Sequence, residues 1–388
     1  MKIGFVGLGK LGKPCAEVFS ENYEVFGYDI IPTDSSVITI CSNIKSLCEA
    51  SDIIFIAVPT PHEKGYDGSL PTSQLIPKDF DYSATKKVLI EINKCVNKEK
   101  TVVLISTVLP GTIRRELKPL LPNADLIYNP YLIAMGTVQW DMKNPEMIII
   151  GSENGDTRNP KIQQLVSLYK AISDKELRYE MGTWEEAESI KIFYNTFISA
   201  KLSLVNMIQD VAEQLGNMNV DVVTDALKRS DFRITGPAYM KSGMGDGGPC
   251  HPRDNIALRF LAQQQNLGYD LFGAIVESRE VQAENLAKKL VDFKKPVVIL
   301  GKSYKVNVAL TDGSFALLVG YYVQKKGCEI YYDKHLDNQK SYTYLLGHMN
   351  KFNNYAFTTN SVVVDPWRTF STNRSDLTVV HFGNTRNM

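Results

Sequence analysis

The chain has 388 residues, with 43 Lys and Arg against 43 Asp and Glu, 44% hydrophobic residues and 22% charged residues. This ordinary globular composition excludes extensive disorder, and the net charge of zero removes any broad electrostatic attraction to nucleic acid or to an anionic membrane. No apolar stretch approaches the roughly 18 to 20 residues that span a bilayer, and the amino terminus lacks the layout of a signal peptide. We therefore expect a cytoplasmic protein without membrane or nucleic-acid partners.

The cysteines are scattered singly and include no Cys-x-x-Cys pair, so the sequence predicts neither a metal site nor a disulfide framework. They are Cys15, Cys41, Cys48, Cys95, Cys250 and Cys328. Such usage is typical of a reducing compartment, where a functional cysteine acts as a single thiol. At roughly 150 residues per domain, the length predicts two or three domains.

The amino-terminal region predicts alternating strands and helices. Met1–Val6 is a short apolar strand, a helical stretch follows, and Tyr23–Asp29 forms a second strand that ends in an acid. Further apolar runs, separated by helical segments, cover 53–58, 102–106, 126–128 and 147–150. This alternation is typical of a parallel sheet covered on both faces. We therefore predict an α/β domain over residues 1–182.

A long helix is predicted next. The stretch 185–216 repeats apolar residues at helical spacing without an internal proline or glycine. A helix of about 30 residues is more than twice the average length, and such helices usually bridge domains or build a dimer interface. This helix and the helical segments after it define a middle region, 183–290. Another strand–turn–helix unit, with a second strand at 328–333, predicts a smaller α/β domain over 291–388.

A glycine-rich turn joins the first predicted strand to the first helix. Its pattern is Gly7-x-Gly9-x-x-Gly12, and Asp29 ends the next strand. In that context the glycines allow a tight turn and the close approach of a pyrophosphate, while the acid accepts hydrogen bonds from ribose hydroxyls. The simpler alternative is a glycine turn with an incidental surface aspartate. Because an acid here repels a 2′-phosphate, the motif favours NAD over NADP, with Leu11 as a further cofactor contact.

Two later loops carry small polar residues at the ends of predicted strands. One loop includes Pro59 and Thr60, and the other includes Ser106 and Thr107. Ligands of open α/β sheets bind beyond the carboxyl ends of the strands, which is where these loops fall. Ordinary turn chemistry explains the same residues equally well. As ligand-binding residues, all four would line a crevice for the cofactor.

The long helix places Glu188, Lys191 and Asn195 on one face, at spacings of three and four residues. A solvated ion pair is the ordinary reason for a Glu–Lys pattern. A stronger signal is the segment GMGDGGPCHPRD, in which Cys250 follows closely spaced glycines and precedes Asp254. Glycines permit close backbone approach, and the cationic neighbours lower the pKa of a thiol and favour a nucleophilic thiolate. The alternative is a buried, inert cysteine.

In combination, these motifs resemble those of the nucleotide-sugar 6-dehydrogenases over essentially the whole chain, most closely the short bacterial UDP-glucose 6-dehydrogenases. The matching segments are GLGKLG with Asp29, VPTP, STVLPGT, NPEMIIIG, AESIKIFYNTFISAKLSLVN and GGPCHPRD. The resemblance implies an α/β fold of two Rossmann-like doubly wound domains, joined by a long central helix and a helical region that builds a homodimer. It also implies NAD in the amino-terminal domain and a UDP- or GDP-hexose towards the carboxyl-terminal one.

The resemblance further implies that the sugar C6 alcohol is oxidised to a carboxylate with two NAD. Cys250 adds to the aldehyde, and the second hydride transfer leaves a thioester that water cleaves. Lys191 and Asn195 stabilise developing oxyanions, while Asp254 and Thr107 transfer protons through a water. Besides Lys191 and Asn195, the implied substrate contacts are Tyr131, Tyr239, Gly247, Gly248 and Lys305.

The chain departs from the family pattern at charged positions. The family segment Pro-Glu-Phe-Leu-x-Glu-Gly reads PYLIAMG here, so Tyr131 and Met135 replace glutamates that contact substrate and assist thioester hydrolysis. Met147 replaces an arginine, and the residues before Ser314 lack another. Three hypotheses follow: a UDP-glucose 6-dehydrogenase, a divergent member with another sugar or impaired hydrolysis, and a non-catalytic dimer that binds NAD or a sugar nucleotide.

Overall fold

The computed structural model divides the chain into two compact units, residues 1–200 and 201–388. It describes residues 1–61, 75–76, 78–133, 136–173, 175–215, 217–236, 242–245, 255, 259, 261–334, 340–349 and 352–384. Within these ranges, no helix has the length and apolar character needed to cross a bilayer. The three-part division at 182 and 290 stays a prediction.

The first unit is built on one eight-stranded sheet. Its strands are β1 Lys2–Val6, β2 Glu24–Tyr28, β3 Thr39–Ile40, β4 Ile53–Ile56, β5 Thr101–Leu104, β6 Asp125–Tyr128, β7 Ile148–Ser152 and β8 Tyr179–Thr183, in the order β3-β2-β1-β4-β5-β6-β7-β8. Its helices are α1 Gly12–Ser20, α2 Ile44–Ala50, α3 Ser83–Asn93, α4 Val138–Lys143 and α5 Pro160–Ile172, with short helical turns at Ile113–Leu117 and Lys118–Leu120. The predicted α/β alternation is therefore confirmed.

The central strands are buried on both faces, which is why they read as continuous apolar runs. Every residue of β4 and of β5 is buried. On one face Phe5 and Phe55 stack with ring centroids 4.9 Å apart, and Phe19 of α1 packs 5.4 Å from Phe55. This core packs around β1, β4 and β5, and the glycine-rich loop and the loops with Thr60 and with Ser106 follow the ends of these strands.

The predicted parallel sheet is confirmed except at one pairing, which is antiparallel. Tyr128 of β6 pairs with Gly151 of β7 in antiparallel orientation, whereas β7 and β8 are parallel to each other. Among its described residues, the connection from β6 to β7 contains one helix, the six-residue α4. A helix of that length spans about 9 Å and does not return the chain to the amino edge of the sheet. The last two strands therefore run in reverse.

This reversal determines where the long helix, α6, arrives. The helix spans Trp184–Leu215, in agreement with the predicted 185–216, and begins directly after β8. The indole nitrogen of Trp184 donates to the Leu126 carbonyl within β6 at 3.1 Å. Two turns later, the Lys191 ammonium donates to the Tyr131 carbonyl, beyond the end of β6, at 2.6 Å. The helix thus runs along β6 and delivers its polar residues to the carboxyl edge.

The second unit contains a five-stranded, fully parallel sheet in the order β10-β9-β11-β12-β13. The strands are β9 Val297–Leu300, β10 Ile330–Tyr332, β11 Thr343–Leu346, β12 Val362–Asp365 and β13 Thr378–His381. Its helices include α7 Val220–Lys228, α8 Leu271–Val291 and α9 Phe315–Lys325, and a short turn covers Phe352–Asn354. The second, smaller α/β domain is confirmed.

Candidate functional site

The glycine-rich loop has the geometry of a phosphate-binding turn. Gly7 has a φ of +97°, and a Cβ there would lie 2.7 Å from the Ala57 carbonyl oxygen. A Cβ on Gly12 would lie 2.0 Å from the carbonyl oxygen of Gly7. Gly9 differs, because a Cβ placed there would have no described atom within 4 Å outside its chain neighbours. Two glycines therefore close the turn, and the middle one leaves room for a ligand before α1.

Asp29 connects the second strand to this loop. Its Oδ2 accepts a hydrogen bond from the Leu8 amide at 2.6 Å, and its Oδ1 accepts from the Ile31 amide at 2.8 Å. A carboxylate has about four lone-pair sites, so both oxygens retain capacity for ribose hydroxyls. Leu11 immediately precedes the helix as its N-cap residue. The residues present therefore fit a dinucleotide with its pyrophosphate at the start of α1.

Gly9 and Gly12 form a matched pair for testing this site. We expect Gly9→Ala to lower NAD affinity by about 10- to 100-fold, because the methyl group occupies the space of the pyrophosphate, while thermal stability stays unchanged. Gly12→Ala is expected to destabilise the fold by about 1 to 3 kcal/mol through overlap with Gly7. Calorimetric NAD titration and thermal unfolding measure the two effects. Wild-type NAD affinity in Gly9→Ala would contradict the assignment.

The loop that follows β4 and the loop that follows β5 are joined by hydrogen bonds in both directions. The Ser106 hydroxyl donates to the Val58 carbonyl at 2.5 Å, and the Thr60 hydroxyl donates to the Thr107 carbonyl at 2.7 Å. These loops follow β4 and β5, next to β1, where the strand order changes direction. Open α/β sheets bind ligands at such a switch point. The structure thus brings Pro59, Thr60, Ser106 and Thr107 to the same edge as the glycine loop.

Glu188 anchors the second of these loops to α6. Its residue surface is fully buried, and its carboxylate accepts from the Gly111 amide at 2.5 Å and from the Ile113 amide at 2.8 Å. Burial raises the pKa of Glu188, and the two amide hydrogen bonds oppose that rise. The carboxylate therefore faces the loop and does not form the ion pair with Lys191 that was the alternative explanation of the Glu–Lys pattern.

Lys191 is half-buried and lacks an acidic partner in the part of the chain that the structure describes. Its only hydrogen bond there is to the Tyr131 carbonyl, at 2.6 Å, which leaves two of its three N–H donors available. Burial lowers the pKa of Lys191 because the charged form loses hydration. An ammonium in this state is suited to stabilise an oxyanion that forms beside it.

Asn195, one turn after Lys191, opens into the same cleft. This cleft, of about 520 Å³, is bounded by α6 and by the segment that follows β6. Among the residues that line it are Leu132, Trp140, Glu146, Lys191, Tyr194 and Asn195. Trp140, Glu146 and Tyr194 were not predicted as site residues. The available signals were the position of Trp140 and Glu146 after a strand end and the adjacency of Tyr194 to Asn195.

Tyr131 contributes its main chain to this arrangement. Its side chain is buried in the core, where its hydroxyl lies 2.9 Å from the Tyr169 hydroxyl, which itself donates to the Asn129 side-chain oxygen. The carbonyl of Tyr131, in contrast, meets Lys191. The hydroxyl of Tyr131 is thus directed into the core, and the substrate contact of this residue stays a prediction.

Several predicted site residues lie outside the described residues: Cys250, Asp254, Tyr239, Gly247 and Gly248. The described cysteines include Cys15 and Cys48, which are both buried. Burial raises the pKa of Cys15 strongly and raises that of Cys48 to about 12. Neither thiol has the character of a nucleophile.

The second unit has its own pocket at the carboxyl ends of β9 and β11. It is lined by Met244, Tyr304, Lys305, Phe315, His348 and Trp367, among others. The loop after β9 is held by Asp333, whose Oδ1 accepts from the Gly301 amide at 2.6 Å, much as Asp29 holds the first glycine loop. The predicted Lys305 is an exposed residue at this pocket, within the second unit.

Comparisons with known proteins agree with this geometry. Residues 33–173 match the NAD binding domain, and residues 185–280 the central domain, of the UDP-glucose/GDP-mannose dehydrogenase family, which together make up more than half of the chain. The UDP-glucose 6-dehydrogenase TuaD of Bacillus subtilis is 28% identical over 76% of this chain and 61% of its own. The UDP-glucose 6-dehydrogenase of Rhizobium meliloti is 25% identical over 85% and 80%.

A solved structure shows the same fold over nearly the full length. The crystal structure of a ternary complex of GDP-mannose dehydrogenase from Pseudomonas aeruginosa superposes with a TM-score of 0.80 at 21% identity, over 98% of this chain and 99% of that one. The family matches, the dinucleotide turn and the two α/β units lead to one conclusion. The chain belongs to the UDP-glucose/GDP-mannose dehydrogenase family of NAD-dependent nucleotide-sugar 6-dehydrogenases.

Proposed function

We propose that this protein oxidises the C6 hydroxyl of UDP-glucose to the carboxylate, with two NAD per sugar and with Cys250 as the covalent nucleophile. The observation that carries the proposal is Lys191, whose half-buried ammonium is held by the Tyr131 carbonyl beside Asn195. Two N–H donors of this ammonium stay available for a developing negative charge. We choose UDP-glucose as the substrate to test first because the relatives from Bacillus subtilis and Rhizobium meliloti are both named as UDP-glucose 6-dehydrogenases.

The chain supplies the thiol, the oxyanion donors and the proton-transfer residues of this chemistry. NAD, when bound at the glycine-rich turn, would supply the hydride acceptor for each of the two oxidations. In the first, the alcohol proton passes through a water to the Asp254 carboxylate, with the Thr107 hydroxyl on the same proton-transfer path, and an aldehyde forms. The Cys250 thiolate then adds to the aldehyde carbon, and Lys191 and Asn195 stabilise the resulting alkoxide. Loss of a second hydride leaves a thioester, and attack by water releases the carboxylate and restores the thiol.

We infer that the pocket of the second unit binds the nucleotide part of the substrate. Tyr304, Phe315 and Trp367 provide aromatic surface for a base, and the exposed Lys305 provides a cation for a phosphate. The indole nitrogen of Trp367 donates to the Leu346 carbonyl at 3.1 Å, which fixes the ring. A pocket of this composition suits a nucleotide better than an apolar ligand.

The proposed homodimer accounts for an exposed apolar face on α6. Phe193, Phe197 and Leu204 are 56%, 59% and 44% exposed, although they follow one another at helical spacing. A second copy packed on this face would remove that apolar surface from water. We expect a solution mass of twice 43.5 kDa in sedimentation equilibrium. A monomer at micromolar concentration would contradict the dimer.

One experiment tests the reaction. The purified protein is mixed with NAD and a panel of UDP-glucose, UDP-galactose and GDP-mannose, and the NADH formed per sugar is counted. Two NADH and a free acid from UDP-glucose support the proposal. Two NADH per active site in a single turnover, with an acyl group kept on Cys250 and detected by mass spectrometry, would instead show impaired hydrolysis, as the missing glutamates suggest. No NADH with any sugar would refute the reaction.

The nucleophile is tested in the same assay. In Cys250→Ala, no acyl adduct is expected, and acid formation should cease because no thioester forms. Full-rate acid production by this variant would refute the role of Cys250 without refuting the oxidation itself.

A further inference from the structure

The cleft beside α6 contains an acid and two aromatic residues to which the resemblance assigns no role. They are Trp140, Glu146 and Tyr194. They share the cleft with Lys191 and Asn195, which are proposed above to act at the reacting carbon. An open aromatic surface beside a few oriented polar groups has the chemistry that recognises a hydroxylated ring.

Trp140 presents an open indole on a fixed helical turn. The residue is 62% exposed, whereas tryptophan is highly buried on average. The main-chain and side-chain nitrogens of Asn144 both donate to the Trp140 carbonyl, at 2.9 and 3.0 Å, and so close the end of α4. The backbone that carries the indole is therefore held while the ring lines the cleft. The apolar face of a pyranose ring would cover this surface favourably.

Glu146 presents an oriented carboxylate to the same cleft. The Tyr194 hydroxyl donates to its Oε2 at 2.6 Å, and the Arg178 guanidinium lies 4.0 Å from its Oε1. The Glu146 side chain is nevertheless 59% exposed, so most of its lone pairs face the cleft and solvent. An ionised carboxylate accepts hydrogen bonds about twice as strong as those of a neutral acceptor. Adjacent sugar hydroxyls are suitable donors.

The cleft has a second carboxylate, which is held differently. Thr137 donates to Asp141 at 2.7 Å from four residues earlier in the sequence. Glu146 is held instead by Tyr194 of α6. The same helix also carries the proposed oxyanion donors. This chain lacks both glutamates of the family segment at 130–136. Glu146, which comes later in the same connection between β6 and β7, supplies a carboxylate to the cleft.

We propose that Trp140 and the Glu146–Tyr194 pair form the wall that binds the hexosyl ring and selects which sugar nucleotide is oxidised. This inference rests on the proposed function, since it requires the sugar to lie beside Lys191. The indole packs against the apolar face of the ring, and Glu146 accepts hydrogen bonds from hydroxyls that do not react. Such contacts are equally strong in the ground and transition states, so they act on KM more than on kcat.

The test measures steady-state kinetics of Trp140→Ala, Glu146→Ala and Tyr194→Phe with UDP-glucose, UDP-galactose and GDP-mannose. For the sugar that the wild type oxidises best, KM is expected to rise about 10- to 100-fold in Glu146→Ala and about tenfold in Trp140→Ala, with kcat within about threefold. The preference among the sugars should narrow in Glu146→Ala. Calorimetric affinity for UDP alone should not change, because UDP lacks the hexosyl ring.

Glu180→Ala is the matched control. Glu180 also faces Arg178, at 3.4 Å, but it does not line the cleft among the residues described. Equal changes in KM for Glu146→Ala and Glu180→Ala would show that the effect comes from the loss of a partner of Arg178 and not from a contact with the sugar. That result would overturn the inference. Wild-type KM values in all three variants, with unchanged thermal stability, would overturn it as well. If the wild type oxidises no sugar nucleotide, the proposed function and the wall fail together, whereas normal turnover with insensitive KM refutes the wall alone.

Discussion

Replacing Lys191 with methionine is expected to lower kcat by about 10²- to 10³-fold, the usual loss when one preorganised oxyanion donor is removed. Stability should not fall, because the half-buried ammonium has no acidic partner among the described residues and its burial opposes folding. Stopped-flow measurement of NADH formation gives the rate, and thermal unfolding gives the stability. Methionine keeps the length of the side chain, so packing against the Tyr131 segment is retained.

Lys201→Met is the matched control, since Lys201 lies on the same helix but is exposed. It should keep wild-type kcat. An equal loss of kcat in both variants would indicate a general effect of charge on α6 and contradict the assignment of Lys191.

The pH dependence of the rate offers an independent check on Lys191. Burial lowers the pKa of this ammonium below its usual range. The charged form exists below the pKa and is lost above it, so kcat should decline on the alkaline side at a pH lower than that of an ordinary lysine. Between the folded and unfolded pKa values the unfolded chain binds more protons, so the stability penalty of Lys191 should shrink as pH rises. In Lys191→Arg the alkaline decline should move to higher pH, because a guanidinium stays protonated.

Replacing Glu188 with alanine is expected to destabilise the protein by about 3 to 5 kcal/mol, because two buried amides lose their acceptor and a cavity remains. The amides are those of Gly111 and Ile113, in the loop that follows Thr107. Release of that loop should also reduce kcat and raise KM for NAD, since Ser106 and Thr107 are predicted cofactor contacts. Chemical denaturation and NAD-dependent kinetics measure the two effects.

Glu185→Gln tests whether the effect is specific to the buried carboxylate. Glu185 lies one turn earlier on α6 and pairs with Arg114 at 2.5 Å, but both side chains are partly exposed. A pair of this kind contributes at most about 1 kcal/mol, so this variant should be close to the wild type. Glu188→Ala with the same stability as Glu185→Gln would contradict the anchoring role.

Local features of the chain were predictable because they depend on neighbouring residues. The glycine pattern predicted a turn between β1 and α1, and Gly7 and Gly12 both lie where a side chain would collide with backbone. The bounds of α6 were predicted to within one residue at each end, because a long amphipathic repeat has a clear period. The reversal of β7 was missed, since apolar strands read the same in both directions.

The candidate site was predictable only in part. The spacing placed Lys191 and Asn195 on one helix face, which is a local property, and the family resemblance assigned their roles. The partner of Glu188 was not predictable, because Gly111 lies 77 residues away in sequence. The same holds for Glu146, which meets Tyr194 across 48 residues. Contacts of this range depend on which strands neighbour each other and not on the residues in between.

By itself the sequence determined the two α/β units, the preference for NAD, the long helix and the residue types that the chemistry needs. Glycine geometry, helical period and apolar runs are local, so each could be read from a short window. Only the tertiary structure decided that Lys191 is separated from Glu188, that Tyr131 offers its carbonyl, and that Trp140 and Glu146 join the cleft. These arrangements follow from the reversed direction of β7 and β8. Because β8 ends at the edge of the sheet where β6 begins, α6 starts there and runs along β6 towards the edge where β6 ends.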